Sequence, residues 1–435
     1  MNVLLCLTLI VSPALHSAVQ EDQRKADRAK ALMDLLAAGK FDAFCAEGDE
    51  TMKAGFQPAA AAQLWANLKA QLGDFKAVEG AQAAPTGGHV SVTLTCRFTQ
   101  GTLKLRFVLD DNDRLAGLWV DALDRDVSYE APSYVDRAAF EEVDVTVDAG
   151  SFPLEGTLSV PKAAGRRPCV VLVHGSGPHD QDETVMANKP FRDLAWGLAS
   201  RGVAVLRYEK RTKKYPRGIA ADQITLDWET IDDALAAAKL ARTRPQVDPK
   251  RVFVAGHSLG GFAGPEIARR DPQLAGLIII AGTVRPILDV VTDQLNYLAA
   301  ADGTVSPQER AELNKNLDQI AKIRAREAES LKANFLGAPG SYWLRLNDVD
   351  SAAVAATLEL PILIVQGGRD YQASMKDFEV WKQRLAGRKN VTFALFEKLN
   401  HLMIAGEGPS APAEYGVAGH VDEALIERMA EWIRK

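Results

Sequence analysis

Ser258 lies in a pattern that could make its hydroxyl a nucleophile. Residues 256–261 read Gly-His-Ser-Leu-Gly-Gly and directly follow an apolar run at 252–255. On a sharp strand-to-helix turn, a serine hydroxyl is held at the end of a sheet, where a general base can reach it. The glycines suit such a turn because a Cβ would collide where two backbone segments come close. The pattern predicts a nucleophilic serine, and an ordinary strand–turn is the alternative.

A serine hydroxyl needs a base to take its proton, and the base needs a carboxylate to orient it. Where the serine occupies this kind of turn, the chain order is serine, then acid, then histidine. His401 follows the apolar run at 391–395 and is the favoured base, whereas His420 looks like the first residue of the last helix. Asp370 directly follows the apolar run at 361–365. We expect Asp370 to orient His401, the alternative being a turn residue that caps the next helix.

The tetrahedral intermediate of acyl transfer needs backbone N–H donors for its negative oxygen. One donor is expected from Leu259, directly after the serine. The second should come from the loop His-Gly-Ser-Gly-Pro at 174–178. We predict the amide of Ser176 there, with that of Gly175 as the weaker alternative. His174 itself is expected to brace this loop.

Three nearby features have less specific interpretations. The run His-Asp-Gln-Asp-Glu at 179–183 could hold a metal ion, but a solvated or loop-bracing cluster is favoured. The basic run at 210–214 is expected to be a solvated loop. The sequence has no Cys-x-x-Cys motif and no Cys/His cluster. We therefore expect neither a metal nor a cofactor.

The segments that must position these residues alternate between strand-like and helix-like patterns. From residue 139 to residue 435, a hairpin is followed by runs of Val, Ile and Leu that alternate with helical segments. Unbroken apolar runs separated by helices are typical of a mostly parallel sheet that is buried on both faces. The stretch at about 283–355 has no strand-like run and contains a charged helical region at 307–333. We interpret it as a helical lid over the strand ends, with an exposed helical hairpin as the alternative.

Residues 20–125 have a different pattern of apolar and polar residues. Helical segments come first, and segments with period-two alternation follow. The predicted elements are helices at 27–44 and 59–72 and strands at 90–98, 103–109 and 115–120. Helices followed by antiparallel strands predict a small α+β domain, which resembles modules of the nuclear-transport-factor type. The polar residues 126–138 are interpreted as a linker.

Six short motifs together carry a family resemblance. They are His-Gly-Ser-Gly-Pro at 174–178, Asn-Lys-Pro-Phe at 188–191, Arg-Tyr-Glu-Lys-Arg at 207–211, the serine motif at 256–261, Asp-Tyr-Gln at 370–372 and Leu-Asn-His-Leu at 399–402. With these motifs, the region from about 140 to 435 resembles serine carboxylesterases of the α/β-hydrolase superfamily, near the dienelactone hydrolases and prolyl oligopeptidases. The resemblance implies acyl-enzyme hydrolysis by Ser258, Asp370 and His401. Glu209 departs from the aspartate expected there, which concerns the bracing of a loop and not the triad.

The favoured function is hydrolysis of carboxylic esters with small or medium acyl groups, so the expected partner is a small-molecule ester. A serine peptidase or acyltransferase on the same fold is the second interpretation, although the N-terminal region is too short for a propeller-like gate. A third is a binding protein with a vestigial hydrolase site. The intact Ser258, Asp370 and His401 argue against it. Nothing in the sequence indicates an oligomeric state.

Length, composition and charge limit the number of domains and the classes of partner that the chain could have. The chain has 435 residues, with 47% hydrophobic and 25% charged residues and a net charge of −6. This length predicts two domains. Basic residues are not concentrated enough to indicate nucleic-acid binding, and no apolar run reaches the ~18 residues of a membrane span.

The N-terminus and the cysteines bear on the cellular compartment. Residues 1–18 resemble a secretory signal peptide, with an apolar core at 3–11 and small residues after it, although no Lys or Arg precedes that core. We expect export to the periplasm or beyond, a cytoplasmic enzyme being the alternative. Cys6 would leave with the signal, and Cys169 lies in a buried run. Cys45 and Cys96 could pair in an oxidising compartment, and free thiols are the alternative.

Overall fold

The structure is a computed structural model that describes residues 13–86, 88–126, 129–216, 223–301 and 303–435. The chain divides into two compact units, residues 1–128 and residues 129–435. The apolar core of the expected signal peptide lies outside the described residues. Across the described ranges, no helix has the length and apolar character needed to cross a membrane.

The first unit contains helices followed by an antiparallel sheet, as predicted. Its helices are α1 (Pro13–Ala37), α2 (Phe41–Ala46), α3 (Glu50–Gly55) and α4 (Pro58–Leu72). Its strands are β1 (Phe75–Thr86), β2 (His89–Phe98), β3 (Gly101–Leu109) and β4 (Leu115–Arg125), paired in that order. Inward-facing side chains of the sheet and the helices share one apolar core, which includes Trp65, Phe98 and Phe107.

Two details of this unit differ from the sequence prediction. The helix predicted at 27–44 is interrupted at Gly39, whose φ of 69° is the left-handed conformation that commonly ends helices. Strand β1 is absent from the prediction because none of its side chains is fully buried. Its sequence therefore lacks the alternation of apolar and polar residues that marks a half-buried strand.

Cys45, Cys96 and Cys169 are free thiols in the structure. Cys96 is fully buried in the core of the first unit, and this burial raises the pKa of its thiol to about 12. Cys169 is likewise buried on strand β7 of the second unit, and burial raises its pKa to about 12. A buried neutral thiol acts as a small apolar core residue, which is the environment that both of these cysteines have.

The second unit is built on an eight-stranded sheet and has a separate short hairpin. The strands of the main sheet are β5 (Phe140–Val147), β6 (Leu154–Pro161), β7 (Arg167–Val173), β8 (Ala204–Tyr208), β9 (Val247–His257), β10 (Gly276–Ile280), β13 (Ile362–Gly367) and β14 (Val391–Phe396). The hairpin consists of β11 (Asn334–Phe335) and β12 (Ala338–Pro339). The main sheet has the order β14-β13-β10-β9-β7-β8-β6-β5. The six strands from β14 to β8 are parallel, and β6 and β5 form an antiparallel edge.

Helices cover both faces of this sheet. They are α5 (Pro190–Ser200), α6 (Arg211–Lys214), α7 (Asp232–Thr243), α8 (Leu259–Arg270), α9 (Ile287–Ala299), α10 (Pro307–Arg324), α11 (Ala328–Lys332), α12 (Gly340–Asn347), α13 (Ser351–Ala355), α14 (Met375–Arg384) and α15 (Glu423–Arg434). Successive strand residues point to opposite faces, so Val171 and Val254 join one core while Val170 and Phe253 join the other. The predicted α/β-hydrolase fold class is confirmed.

The predicted insertion lies between β10 and β13 and contains α9 to α13. Its charged region is two helices and not one, because the chain turns between α10 and α11 at Arg326, where φ is 60°. The hairpin of β11 and β12 turns through Leu336 and Gly337, with φ of 47° and 87°. Two positive φ angles define a tight hairpin turn that glycine accepts readily and leucine does not. The tip of the hairpin therefore carries a strained leucine that is 52% exposed.

Most of the predicted linker at 126–138 belongs to the second unit. The hydroxyl of Tyr129 donates to the carboxylate of Asp193, and that of Tyr134 donates to the carbonyl oxygen of Val421. These bonds fix the segment to helix α5 and to the residues that precede α15.

Candidate active site

Ser258 stands on the turn that joins β9 to α8. Its φ of 52° and ψ of −114° lie in a region that residues other than glycine rarely adopt. A Cβ on Gly256 would overlap the carbonyl oxygen of Gly260, and a Cβ on Gly260 would overlap that of Val173 at the end of β7. Both glycines are therefore required by the close packing of this turn. The turn places Ser258 at the carboxyl ends of the parallel strands, where ligands bind in α/β sheets.

His401 and Asp370 form a hydrogen-bonded pair. Asp370 follows β13 and His401 follows β14, and the Nδ1 of His401 lies 2.7 Å from the Oδ2 of Asp370. Both side chains are buried. The Oδ1 of Asp370 accepts the backbone N–H groups of Gln372 and Ala373 at 2.7 and 3.0 Å. A carboxylate fixed in this way keeps a proton on Nδ1 of the histidine and leaves Nε2 to accept another.

The two loops that carry this pair approach closely because of two glycines. A Cβ on Gly367 would overlap the carbonyl oxygen of Leu399, and a Cβ on Gly368 would overlap that of Glu397. Any larger residue at either position would push the loop of His401 away from the end of β13.

His420, the alternative base, lies elsewhere. Its Nδ1 is 3.1 Å from the Oδ1 of Asp193, and the Oδ2 of Asp193 accepts the N–H of Val421. His420 is not among the residues that line the cavity containing Ser258 and His401. Its pairing instead ties helix α5 to the residues before α15.

A cavity of about 310 Å³ opens at the strand ends. Ser258 and His401 both line it, together with Ser176 and Leu259. The rest of its wall is mostly apolar, and most of these apolar side chains come from the insertion. The apolar lining includes Ile287, Val290, Val291, Leu336, Trp343 and Leu402, and the polar lining includes Thr283, Gln294, Gln372 and Tyr415. A cavity of this size suits a small molecule.

The structure distinguishes the two candidate amides of the 174–178 loop. The N–H of Gly175 donates to the Oε1 of Glu183 at 2.6 Å, so this amide is already occupied. The carbonyl oxygen of Gly175 accepts a hydrogen bond from the Nζ of Lys210 at 2.7 Å. Because a peptide group is planar and trans, this bond also fixes the N–H of Ser176, on the side opposite Lys210. The amides of Ser176 and Leu259 therefore remain the candidates for binding an oxyanion.

Sequence reasoning missed two buried residues of this site, Glu183 and His257. The Oε2 of Glu183 lies 2.9 Å from the Nδ1 of His257, and the Nε2 of His257 lies 2.9 Å from the carbonyl oxygen of His401. Both residues were visible, one as the last acid of the 179–183 cluster and the other as the variable residue of the serine motif. Nothing local in the sequence indicates that they meet.

The ionisation of the site follows from burial and from this contact. Burial alone would raise the pKa of the Glu183 carboxyl, but the neighbouring His257, His179 and His174 lower it to about 2. Burial would lower the pKa of His257, but the Glu183 carboxylate raises it. For His174, burial prevails and lowers the pKa to about 3. At neutral pH the site therefore holds an ionised Glu183 and a neutral His174.

The 174–183 segment is braced from two sides. The Nε2 of His174 lies 3.1 Å from the carbonyl oxygen of Asp180. The carboxylate of Glu209 accepts the N–H of Gln181 at 3.3 Å. Glutamate in place of the expected aspartate therefore still holds the loop.

The basic run at 210–214 is not a solvated loop, which corrects the sequence expectation. Lys210 and Arg211 are buried. The Nζ of Lys210 lies 3.1 Å from the carboxylate of Glu229, and the Nε of Arg211 donates to both carboxylate oxygens of Asp233. Opposite charges on neighbouring elements thus hold the first two residues of the run in the interior, while residues 212–214 stay partly exposed.

Within the part of the chain that the structure describes, no group of three or more His, Cys, Asp or Glu side chains is arranged to hold a metal ion. The acids of the 179–183 cluster have protein partners instead. Asp180 accepts bonds from Thr184, and Asp182 pairs with Arg207. The loop-bracing interpretation of this cluster therefore fits the observed contacts.

The chain matches a known family over more than half of its length. A family model described as serine aminopeptidase, S33, matches residues 165–408, and one described as a protein of unknown function matches residues 29–118. The chain is 40% identical over 384 residues to the esterase EstD of Thermotoga maritima. The matched region covers 88% of this chain and 89% of that protein.

Solved structures with a similar fold include Est1E from Butyrivibrio proteoclasticus, with 18% identity, a TM-score of 0.43 and coverage of 67% of this chain and 99% of that one. Proline iminopeptidase from Mycobacterium smegmatis has 18% identity, a TM-score of 0.45 and coverage of 67% and 98%. The family match extends over more than half of the chain, and the identity to EstD extends over most of it. The chain therefore belongs to the serine aminopeptidase S33 family and is a serine hydrolase with the α/β-hydrolase fold.

Proposed function

We propose that this enzyme hydrolyses carboxylic esters through an acyl-enzyme formed on Ser258. The observation that carries the proposal is one cavity lined by a serine on a strained turn and by a histidine bonded to a buried aspartate. Ser258 attacks the ester carbonyl while His401 takes its proton, and Asp370 stabilises the resulting imidazolium. His401 then protonates the leaving alcohol. Water, activated by the same histidine, releases the acid and restores the serine.

The negative oxygen of each tetrahedral intermediate is bound by two backbone amides. Leu259 is the first residue of α8, so its N–H lies at a helix N-terminus, where the backbone dipoles favour negative charge. The N–H of Ser176 is oriented by the bond that Lys210 makes to Gly175. Donors fixed before the reaction stabilise the transition state without reorganisation.

The cavity favours an ester over the free N-terminus of a peptide. An aminopeptidase has to bind an α-ammonium group, and a buried cation needs a partner of opposite charge. Among the described residues that line the cavity, Glu183 is the one carboxylate, and it already contacts Gly175 and His257. A neutral ester leaves these contacts intact, in keeping with the activity named for EstD.

The lining supports acyl groups of small or medium size. A volume of about 310 Å³ is at the lower end of the range for small-molecule sites. Val290, Val291 and Trp343 give the cavity an apolar wall, and Leu336 extends into it from the hairpin of β11 and β12. Trp343 anchors this hairpin by donating its indole N–H to the carbonyl oxygen of Phe335 at 2.6 Å. The insertion thus acts as a lid that limits the length of the acyl chain.

The test uses p-nitrophenyl acetate, butyrate and octanoate. In Ser258→Ala and in His401→Gln, kcat should fall by about 10⁵-fold or more, because members of such a triad act as a unit. The matched control is His420→Gln, which removes a histidine outside the cavity and should retain kcat. Undiminished turnover by Ser258→Ala would contradict the proposal.

Two further measurements separate the alternative functions. Faster cleavage of aminoacyl p-nitroanilides than of the esters would favour a peptidase. Failure of the intact protein to react with a fluorophosphonate probe would favour a binding protein with a vestigial site.

The same proposal includes export of the enzyme. It is supported by the apolar run at 3–11 and the small residues that follow it. Cell fractionation should recover the protein outside the cytoplasm, with an N-terminus that begins near residue 19. An intact N-terminus in the cytoplasmic fraction would contradict export.

A further inference from the structure

We infer that Glu183 and His257 are positioning residues that connect the oxyanion-binding loop to the catalytic histidine. The inference rests on the proposed roles of Ser258, Ser176 and His401 and adds a second connection between their loops. That connection is distinct from the bond between Asp370 and His401.

Three contacts form the connection. Glu183 is 1% exposed, and one of its carboxylate oxygens accepts the N–H of Gly175 at 2.6 Å. The other lies 2.9 Å from the Nδ1 of His257. The Nε2 of His257 lies 2.9 Å from the carbonyl oxygen of His401, and the centroids of the two imidazole rings are 4.7 Å apart. The bridge thus runs continuously from the loop after β7 to the loop after β14.

The two ring nitrogens of His257 have different contacts. A carbonyl oxygen can only accept a hydrogen bond, so the Nε2 that faces His401 carries a hydrogen. The Nδ1 lies 2.9 Å from the Oε2 of Glu183, an ion-pair contact that is not aligned as a hydrogen bond. Burial would lower the pKa of His257, but this carboxylate raises it and so favours the protonated form. The other ionisable groups around this pair are Asp370, His401, His179, His174 and Lys210.

The backbone at Glu183 has a strained conformation. Its φ of 50° is the left-handed conformation, which residues other than glycine adopt mainly when the surrounding structure holds them there. A buried ion pair is also a weak source of stability, since removing two charges from water offsets most of their attraction. Both features agree with a side chain whose role is to position its neighbours.

The neighbours it places are those that must not move during catalysis. Gly175 precedes the proposed oxyanion donor Ser176, and His401 is the proposed base. Misplacing a reacting group by about 1 Å can cost roughly 10²-fold in rate. Loss of the bridge should therefore lower kcat and leave KM nearly unchanged, because neither Gly175 nor the carbonyl group of His401 is required to hold the substrate.

The experiment compares Glu183→Ala with Glu183→Gln on p-nitrophenyl butyrate. Glutamine can preserve the bridge. Its oxygen accepts the N–H of Gly175, and its NH₂ donates to the Nδ1 of a neutral His257. The Nε2 of that histidine still donates to the carbonyl oxygen of His401. We expect kcat to fall about 10²-fold in Glu183→Ala, with KM within about threefold, and to fall by less than about fivefold in Glu183→Gln. The matched control is Asp193→Ala, which removes a buried carboxylate outside the cavity that is bonded to Tyr129 and to the N–H of Val421 and should lower the melting temperature without lowering kcat of the folded enzyme.

A second variant keeps the inference testable if Glu183→Ala does not fold. His257→Leu in the Glu183→Gln background breaks the bridge without leaving a buried charge unpaired, and kcat should fall about 10²-fold relative to Glu183→Gln. Full kcat in Glu183→Ala or in this double variant overturns the inference, as does equal loss in Glu183→Ala and Glu183→Gln. Ser258→Ala, assayed in parallel, separates the two levels. If it retains turnover, the proposed function fails; if it is inactive while Glu183→Ala is fully active, the bridge alone fails.

Discussion

The ammonium group of Lys210 donates a 2.7 Å hydrogen bond to the carbonyl oxygen of Gly175. Lys210 is buried, and its Nζ also lies 3.1 Å from the carboxylate of Glu229. The carbonyl group that it holds is part of the peptide group that ends in the N–H of Ser176. A charge in the interior of the protein thus orients the amide proposed to bind the oxyanion.

Replacing Lys210 by methionine should therefore lower kcat. Methionine keeps most of the volume but donates no hydrogen bond, so the peptide group between Gly175 and Ser176 is free to rotate. Loss of one oxyanion donor typically costs about 10²–10³-fold in kcat. Because Lys210 acts through the peptide and does not bind the oxyanion itself, we expect about 10- to 100-fold.

The comparison for this variant is Lys214→Met. Lys214 is the last residue of α6, the helix that begins directly after Lys210, and it pairs with Glu155 near the surface. Steady-state kinetics on p-nitrophenyl butyrate should show unchanged kcat for Lys214→Met. Equal kcat in the two variants would argue against an orienting role for Lys210.

Asp370→Asn tests the orientation of the proposed base. The asparagine side chain can present an NH₂ group to His401, which favours the tautomer with hydrogen on Nε2 and removes its capacity to accept a proton from Ser258. In serine proteases the equivalent change lowers kcat by about 10⁴-fold, and a loss of about 10³–10⁴-fold is expected here. Asp193→Asn, at the aspartate that pairs with His420 outside the cavity, should retain kcat. A loss below tenfold in Asp370→Asn would show that Asp370 does not orient the base.

Much of the fold and the main candidates of the site could be predicted because their signals are local. Parallel strands buried on both faces appear as unbroken apolar runs, and the confirmed fold class follows from them. Ser258, Asp370 and His401 each lie directly after, or in the loop beyond, such a run. Strand ends converge at one edge of a parallel sheet, so these positions could be expected to meet, and Asp370 does contact His401.

The remaining parts of the site depend on pairs that are distant in the chain. Glu183 and His257 looked like a loop acid and a variable motif residue, and Lys210 looked like part of a solvated run. Each is buried because a partner of opposite charge lies on another element. Charged residues are nearly always exposed unless they are paired, so without the partner the sequence favoured the wrong environment for Lys210.

Leu336→Asn should change the acyl preference without destabilising the protein. Asparagine accepts a positive φ more readily than leucine does, so the turn of the β11–β12 hairpin loses strain. It is also shorter and polar, so it should weaken contacts with an apolar acyl chain. We expect kcat/KM for p-nitrophenyl octanoate to fall about 5- to 20-fold relative to acetate, which corresponds to roughly 1–2 kcal/mol of lost apolar contact.

The control for Leu336→Asn is Arg326→Gly, which relieves a positive φ of 60° elsewhere in the insertion. Arg326 does not line the cavity, so this variant should keep the acyl preference of the unmodified enzyme. If Leu336→Asn leaves the ratio of octanoate to acetate unchanged, Leu336 does not contact the acyl chain.

Gly260→Ala should destabilise the second unit and lower activity with it. The added Cβ would overlap the backbone carbonyl oxygen of Val173, which no side-chain rotation can relieve. Overpacking of this kind costs about 1–3 kcal/mol, and thermal unfolding followed by circular dichroism should show a lower melting temperature. Gly150→Ala offers a comparison, because nothing lies within 4 Å of a Cβ there and only its φ of 68° opposes the change. A melting temperature for Gly260→Ala equal to that of the unmodified enzyme would contradict the close packing of the turn.

His174 and Glu183 should make the protein less stable as the pH falls. Burial lowers the pKa of His174 from 6.5 to about 3 in the folded state, so between these values the unfolded chain binds a proton that the folded chain does not. The stability that the neutral His174 contributes is therefore fully present above pH 6.5 and decreases as the pH falls through this window. At pH 4.5 the expected loss from His174 is about 2–3 kcal/mol. Glu183, whose pKa is lowered from 4.5 to about 2, adds a further loss below pH 4.5.

Urea unfolding at pH 7 and pH 4.5 measures this dependence. His174→Gln removes the group that titrates in this window, while its NH₂ can still donate to the carbonyl oxygen of Asp180. The difference in unfolding free energy between the two pH values should therefore be smaller in this variant by about 2 kcal/mol. An equal difference in the variant and the unmodified enzyme would mean that His174 is not held neutral by its burial, and that the loop it braces is open to water.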